Sequence, residues 1–363
     1  MSKSSEIEAP EAVQAALRTA VGAVQAEVRA GAVLHLPAHD AQWLATGISV
    51  TRGETVTLVS SGIAWLSRAF DLFVTGGLSL WYRIGGGPIG KVGGDTFSFT
   101  AERDGPLELI CHLAGQWIDE SGRFDPASTL EDGGLCVAAL VWRGDRDAGL
   151  AAFAAVDSTG LAAREVARIA AFRPLPPGWA PLWRVGATSI FCEAVDTDAP
   201  PRIACRCVED AGIIKYPLSL ELTDDLAIAW DWRIQRLPST VAEDIAPTHD
   251  YLSLAVEFDT GQDLTYFWSS SLPVGTTFRC PLPWWDQVET HMAVRSGAEG
   301  LGQWLGERQP LLSDYRRCVG GADPARVVGV WIIALSAFQR GTGLADFARI
   351  RLEGAGGQTW IGP

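Results

Sequence analysis

The placement of tryptophan in short apolar runs constrains the fold of this chain most strongly. Its 363 residues include 15 tryptophans, and several lie in runs whose length and composition are typical of β-strands. Trp230 and Trp232, two residues apart, would project from one face of a strand. Glycine-rich turns separate such runs at short intervals, and no regular alternation of strands with helices accompanies them. The pattern predicts an all-β chain of antiparallel sandwiches.

The length of the chain predicts two domains, because one ordinary hydrophobic core does not extend over 363 residues. An apolar stripe at three- and four-residue spacing predicts a helix over residues 10–29 within an N-terminal segment 1–31, with Gly31 as its stop. A first sandwich follows over 32–157. A second helix and a proline-rich linker occupy 158–178, where the sequence RPLPPG ends the helix. Eight strand-like runs beyond it predict a jelly-roll sandwich over 179–363.

Charge and composition exclude several classes of partner. The formal net charge of −14 disfavours nucleic acids and anionic membranes, because no basic stripe is present to bind phosphates. The N-terminus lacks the pattern of a secretory signal, and no apolar run is long enough to span a membrane. We therefore expect a cytoplasmic protein. Its seven scattered cysteines are expected to be reduced thiols, and neither a metal nor a cofactor is predicted.

Aromatic residues of the C-terminal half are candidates for ligand binding. Two interpretations remain open, since rows of aromatic side chains usually belong to a core but can also form a stacking platform. The platform candidates are Trp230, Trp232, Tyr266, Trp268, Trp284 and Trp285.

Four titratable residues are candidates for acid–base chemistry, namely His249, Asp250, Glu307 and Asp314. Proton transfer needs two groups whose environments separate their pKa values, and an imidazole titrates near neutral pH. Structural salt bridges are the alternative interpretation of the acids. We expect His249 to face a cavity lined by Trp230, Trp232 or Trp268, with a carboxylate within hydrogen-bond reach.

The N-terminal half, from about residue 43 to 124, resembles the calcium-dependent galactophilic lectin fold. The segments that carry the resemblance are WLATGI (43–48), RGETVT (52–57), SG (61–62), LWYRIG (80–85), GPLEL (105–109) and GQWIDESG (115–122). The resemblance implies a β-sandwich. His112 stands where the family has its first aspartate ligand, and Glu120 replaces an asparagine, whereas Asp119 and Gln116 could still offer oxygen. A calcium ion prefers six to eight oxygen ligands, so we expect no stoichiometric calcium.

The C-terminal half, roughly residues 172–353, resembles a bacterial family known only as domain of unknown function 3047. The matching segments include LPPGW (175–179), IAWDW (228–232), HDY (249–251), LTYFWS (264–269), LPVG (272–275) and DYR (314–316). The resemblance implies a jelly-roll similar to carbohydrate-binding modules and supplies no activity. His249 replaces an aspartate of that family's pattern, and the loop 336–343 lacks its aspartate.

Two functions of different classes remain open. The first is a soluble protein that binds a carbohydrate or an apolar small molecule in a tryptophan-lined cleft of the C-terminal sandwich. The second is a cofactor-independent acid–base enzyme, such as a hydratase or lyase, an isomerase or cyclase, or a glycan-cleaving enzyme, that uses His249 and a nearby carboxylate. A glycan or small-molecule ligand is expected in both cases, and a homodimer is compatible with either.

Overall fold

A computed structural model describes residues 10–127, 130–196 and 200–362. The chain divides into two compact units, one comprising Met1–Phe172 with Trp183–Ala187 and the other Arg173–Leu182 with Thr188–Pro363. Strands predominate in both, and nearly all strand pairs are antiparallel. The prediction of an all-β, sandwich-type fold is confirmed. Within the described ranges, no helix combines the length and the apolar character that crossing a membrane requires.

The N-terminal unit contains two sheets. Its strands are β1 (Val28–Pro37), β2 (Leu44–Val50), β3 (Thr55–Ser67), β4 (Leu72–Val74), β5 (Leu80–Ile84), β6 (Gly90–Lys91), β7 (Thr96–Thr100), β8 (Gly105–Cys111) and β9 (Asp132–Trp142). One sheet has the order β1-β9-β3-β4, with β7 also paired to β3, and the other has the order β2-β8-β5-β6. Its helices are α1 (Pro10–Ala23), α2 (Gly76–Ser79), α3 (Arg146–Val156) and α4 (Leu161–Ala171).

Helix α1 is shorter than the sequence predicts. Residues 1–9 of the predicted N-terminal segment lie outside the described residues, and the helix ends at Ala23 instead of Arg29. Val28 already begins β1, and Gly31 lies opposite Leu140 of β9 inside the sheet, so it does not stop a helix. Pairing with a central strand outweighs the helical spacing of the valines here, because β-branched residues pack well on a pleated surface.

The C-terminal unit contains a seven-stranded and a six-stranded sheet. Its strands are β10 (Ala180–Pro181), β11 (Phe191–Ala194), β12 (Arg202–Val208), β13 (Ala211–Glu221), β14 (Ala227–Arg236), β15 (Leu252–Phe258), β16 (Asp263–Ser269), β17 (Thr277–Arg279), β18 (Glu289–Ser296), β19 (Leu305–Pro310), β20 (Arg326–Leu335), β21 (Thr342–Gly354) and β22 (Gly357–Trp360). The sheet orders are β10-β13-β20-β15-β16-β18-β17 and β11-β12-β21-β14-β19, with β22 paired to β21. Helix α5 spans Leu311–Cys318.

Among the described strands of the C-terminal unit, one pair is parallel. Strands β16 and β18 run in the same direction, with Asp263 opposite Glu289 and Thr265 opposite His291. The chain between them forms β17 and a loop that contains a short 3₁₀ turn at Trp285–Gln287. This crossover places Asp263 and Thr265 of β16 beside Glu289 and His291 of β18 on one side of the sheet.

The core of the C-terminal unit lies between its two sheets. Trp230 and Trp232 of β14 meet Tyr266 and Trp268 of β16, with ring centroids 5.7 Å apart in both cross-sheet pairs. All four side chains are fully buried. Aromatic residues therefore fill the space between the sheets, where they bury a large apolar area.

Candidate functional site

Strand β16 is buried on both of its faces, and the two faces differ in chemistry. Leu264, Tyr266 and Trp268 point into the core between the sheets. The alternate residues Asp263 and Thr265 point to the opposite side, which we call the outer face of the seven-stranded sheet. They are as buried as the core residues. Buried polar groups on one side of a sheet mark the outer face as the candidate site.

A pair of carboxyl groups lies on the outer face. Asp263 and Glu289 are register partners on β16 and β18, and both are almost completely buried. The Thr265 hydroxyl lies 3.1 Å from Asp263 Oδ1 and 3.1 Å from Glu289 Oε1. The Tyr251 hydroxyl donates to Glu289 Oε1 at 3.1 Å. Burial raises the pKa of both carboxyl groups, and the charge of Glu289 raises that of Asp263 further. The pair therefore favours retention of a proton.

Two histidines and a cysteine meet beside this carboxyl pair. His291 lies on β18, His249 comes just before β15, and Cys280 follows β17. All three are buried, and one potential ligand atom from each lies within 4.8 Å of the others. Burial lowers the pKa of His249 to about 4 and raises the pKa of the Cys280 thiol. These are the side chains of the outer face that could hold a transition-metal ion.

The outer face also carries an aromatic and charged rim. Strand register places Trp331 of β20, Lys215 of β13 and Glu257 of β15 on the same side as Thr265. Trp331 Nε1 donates to Glu257 Oε2 at 3.2 Å, and Lys215 Nζ lies 2.5 Å from the same oxygen. Trp285 approaches Trp331 with ring centroids 6.4 Å apart.

Trp284 adds a third ring to this rim. It is half-buried, and its ring meets that of Trp285 edge-on at 4.9 Å. Of the six predicted platform residues, Trp284 and Trp285 are the two that lie on the outer face.

The other four platform candidates are part of the core. Trp230, Trp232, Tyr266 and Trp268 are each 0% exposed and pack between the sheets. Their prediction as ligand-binding residues is wrong, because alternation along β14 and β16 directs these rings into the sandwich interior and away from either outer surface. The alternative interpretation of the same row, as core, fits the structure.

His249 does not face a tryptophan-lined cavity. Its ring lies near those of Tyr251 and His291, with centroids 4.8 Å apart in both pairs, on the side of the sheet opposite to Trp268. Its Nδ1 donates to the carbonyl of Glu243 at 2.5 Å, and its Nε2 lies 3.4 Å from Cys280 Sγ. The prediction of a tryptophan-lined cavity at His249 is wrong, because the tryptophans occupy the other face of the sheet. The groups within hydrogen-bond reach of His249 are the carbonyl of Glu243 and the thiol of Cys280, and neither is a carboxylate.

The three predicted acids have separate structural partners. Asp250 accepts the backbone N–H groups of Phe338 at 3.0 Å and Gln339 at 2.6 Å, and so anchors the loop 336–343. Glu307 accepts from Arg295 and from Trp232 Nε1.

Asp314 of α5 accepts from Arg317 at 2.6 Å and from the Tyr266 hydroxyl at 3.3 Å. The fold does not gather these acids around His249, and their contacts match the structural alternative.

Sequence reasoning missed most of the outer-face residues. Cys280, Glu289, His291, Asp263, Glu257 and Trp331 were not among the candidates. A signal was present in the spacing of Glu289 and His291, since residues two apart on a strand share a face. The position of Asp263 opposite Glu289 depends on a parallel crossover, which local spacing does not encode.

In the N-terminal unit, the carboxylate oxygens of Asp119 in the lectin-like loop are bonded to other residues of the same loop. Asp119 Oδ1 accepts from the backbone and hydroxyl of Ser121, and Asp119 Oδ2 pairs with Arg123 Nε at 2.6 Å. These partners hold the pKa of Asp119 well below its usual range. His112 is buried between Trp117 and Phe124, with centroids 4.5 and 4.4 Å away. The position that holds the first calcium ligand in the lectins is therefore part of an aromatic cluster.

Comparison with family models identifies a match within the C-terminal unit. Residues 192–351 match the model of a family described as protein of unknown function (DUF3047). The resemblance predicted for the C-terminal half is confirmed over that range. A comparison with curated proteins finds no match.

Comparison with solved structures gives distant similarities. The N-terminal domain of EclA, a PllA-like lectin, is 20% identical, with 31% of this chain and 95% of that chain covered and a TM-score of 0.23. The xyloglucanase domain of NopAA, a type three effector from Sinorhizobium fredii in complex with cellobiose, is 7% identical, with coverages of 49% and 92% and a TM-score of 0.28. A mutant of the xylanase ENZbleach is 10% identical, with coverages of 52% and 89% and a TM-score of 0.25.

Proposed function

We propose that the C-terminal unit binds a carbohydrate at the rim of the outer face. The observation that carries this proposal is that the half-buried ring of Trp284 meets Trp285, which lies with Trp331 beside the ion pair of Glu257 and Lys215. Trp285 and Trp331 are 7% and 6% exposed. Aromatic rings pack against the C–H faces of a sugar, and charged groups form strong hydrogen bonds with its hydroxyls. An apolar surface with a few convergent polar groups is typical of small-molecule sites.

The rim has oriented polar groups. Glu257 accepts from both the Trp331 indole and the Lys215 ammonium, so one carboxylate fixes a ring and a cation. About a quarter of the Lys215 side chain and a fifth of the Glu257 side chain are exposed to solvent. Gly329 makes this packing possible, because a Cβ there would lie 2.7 Å from Glu257 Oε2 and 2.8 Å from Lys215 Cε.

The loop that carries Trp284 has a strained backbone. Trp284 has φ 72° and ψ −47°, a positive-φ conformation close to that of a γ-turn, which is costly for a side chain of this size. Such conformations cost about 1–3 kcal/mol and cluster at ligand sites. Selection for the position of the Trp284 ring supplies a reason to keep this strain, since stability alone favours glycine at this position.

The acid–base alternative is less well supported by the geometry. His249 Nε2 faces the thiol of Cys280, and its Nδ1–H is committed to a backbone carbonyl. The predicted carboxylates are engaged elsewhere. We therefore favour binding over proton transfer as the function of this unit.

Titration of the full chain with soluble oligosaccharides, followed by calorimetry, tests the proposal. Trp284→Ala and Trp331→Phe are expected to weaken binding at least about 10-fold, as expected for aromatic anchors of an interface. Trp360→Ala is the matched control, because Trp360 is 55% exposed and lies on the six-stranded sheet. Equal affinity of the wild type and both rim variants for every bound sugar, or the absence of binding across neutral and acidic oligosaccharides, would refute the proposal.

A further inference from the structure

We propose that His249, Cys280 and His291 bind a zinc ion on the outer face of the seven-stranded sheet. The inference is independent of carbohydrate binding, since it concerns different side chains and a different ligand. It begins with a group of three buried side chains, each of a type that ligates zinc in proteins.

The spacing of the ligand atoms suits a tetrahedral ion. His249 Nε2 and Cys280 Sγ lie 3.4 Å apart. Zinc bonds of about 2.0 Å to nitrogen and 2.3 Å to sulfur, at the tetrahedral angle, separate the two ligand atoms by roughly 3.5 Å. The third ligand atom, on His291, lies within 4.8 Å of both others, so a small side-chain rotation completes the site.

The hydrogen bond of His249 prepares it as a ligand. Its Nδ1–H donates to the Glu243 carbonyl at 2.5 Å, which places the lone pair on Nε2 and directs it at Cys280. Metal-bound histidines usually donate their second N–H to a carbonyl or a carboxylate, which fixes the tautomer. His249 has this arrangement.

His291 is a buried side chain whose hydrogen-bonding capacity is unused. It is 0% exposed, and neither Nδ1 nor Nε2 has a hydrogen-bond partner among the described residues. Its Nε2 lies 3.3 Å from Glu289 Oε1, without the alignment of a hydrogen bond. An unpaired polar group in a protein interior costs stability, and a metal bond would satisfy one nitrogen. The carboxylate of Glu289 stands close enough to balance part of the charge of a divalent ion.

The donor set distinguishes zinc from other ions. One thiolate and two imidazoles suit zinc, whereas calcium and magnesium prefer oxygen ligands. Copper electron-transfer sites with the same three ligands add a distant methionine. Met292 is directed away from the cluster, since it packs in the core and contacts Arg317 and Cys318.

Zinc at this position would fix the position of the loop that contains Trp284 and Trp285. Cys280 and His291 flank the segment that contains Trp284 and Trp285, and His249 belongs to a separate segment. An ion bound by all three residues would therefore tie both ends of the loop to the chain that precedes β15. Because the three ligands are buried, the ion is expected to enter during folding.

Metal analysis of the full chain tests this inference. The protein is unfolded in denaturant with a chelator, refolded with or without Zn²⁺, desalted and analysed by plasma mass spectrometry. We expect one zinc ion per chain and a melting temperature that rises with Zn²⁺ until the site saturates. Replacement by Co²⁺ is expected to give a thiolate-to-cobalt charge-transfer band in the near ultraviolet.

Substitutions separate ligation from general effects on folding. Cys280→Ser and His291→Ala are expected to lower zinc affinity at least about 100-fold. This exceeds the loss of about 10- to 100-fold that is typical when a residue hydrogen-bonded to a ligand is substituted. Cys192→Ser is the matched control, since Cys192 is a partly exposed cysteine of the same unit. If a variant fails to fold, the cobalt spectrum of the wild type still decides the matter. A refolded wild type without zinc, or a cobalt complex without the thiolate band, would each overturn the proposal.

Discussion

Two substitutions in the aromatic core, Trp230→Phe and Trp232→Phe, test the assignment of these rings to the sandwich interior. The two residues lie two apart on β14, are both 0% exposed and meet with ring centroids 5.5 Å apart. They differ in one respect. Trp232 Nε1 donates to Glu307 Oε1 at 3.1 Å, whereas Trp230 Nε1 is buried without a partner among the described residues.

The difference in stability between the variants follows from this contrast. Both changes remove the same volume, so their cavity costs are of similar size. Trp232→Phe also removes a hydrogen bond to a charged acceptor, which contributes about 1.5–3 kcal/mol. Trp230→Phe removes a buried unpaired donor, which relieves a cost of about 1–3 kcal/mol. Since Glu307 retains Arg295, we expect the lower end of the summed range, so that Trp232→Phe is the more destabilising by about 2.5 kcal/mol, or at least about 5 °C in melting temperature.

Equilibrium denaturation followed by near-ultraviolet circular dichroism and fluorescence gives the required free energies of unfolding. The transition of the C-terminal unit is fitted separately, because a chain with two units need not unfold in one step. Trp360→Phe serves as the exposed control and should change stability by less than about 0.5 kcal/mol. The reasoning is refuted if Trp230→Phe is as destabilising as Trp232→Phe, or if both behave like the control.

Three further outcomes are expected. The pKa of His112 is lowered by burial from 6.5 to about 4, so the unfolded state binds its proton more readily. The N-terminal unit should therefore lose up to about 3 kcal/mol as pH falls from 6.5 to 4, as measured by denaturation, and His112→Phe should abolish that loss. Gly133→Ala should lower the melting temperature, because φ is +92° and a Cβ would lie 2.2 Å from the Ile63 carbonyl, whereas Gly144→Ala meets nothing within 4 Å and should not. Elemental analysis should find no stoichiometric calcium, because the Asp119 carboxylate is already bonded to Ser121 and Arg123. One tightly held calcium ion per chain would contradict this expectation.

The strands of the C-terminal unit could be predicted from sequence, because a strand-forming composition is a property of neighbouring residues and needs no knowledge of distant contacts. The half expected to be rich in strands beyond residue 178 does fold into strands, and the second predicted helix, expected within residues 158–178, is α4 (Leu161–Ala171). Strand β13 is not evident from local composition, since Pro217 and the polar residues near its end interrupt the apolar pattern. Helix α3 was also missed, because its alanine-rich sequence has only a weak amphipathic stripe. Helix α1 was predicted too long because its apolar spacing continues to Val28, which belongs to a strand.

The candidate site was harder to predict because β16 is buried on both faces. The usual expectation that apolar residues point inward and polar residues outward fails when loops cover the second face. In the sequence DLTYFWS, the tryptophan and tyrosine were prominent, yet the outer face is formed by Asp263, Thr265 and Phe267. Which residues of other segments would meet them depended on register and crossover, which require contacts between distant parts of the chain.

The register of β16 and β18 indicates that the outer face is maintained at a cost to stability. Two carboxyl groups directly opposite each other destabilise a sheet when both are ionised, and their burial adds to the penalty. The fold nevertheless places Asp263 opposite Glu289 and surrounds them with the Thr265 and Tyr251 hydroxyls. Apolar residues of similar volume would fill the same positions without this penalty. A requirement for polar groups at this place, such as holding an ion or orienting a ligand, explains their presence better than packing does.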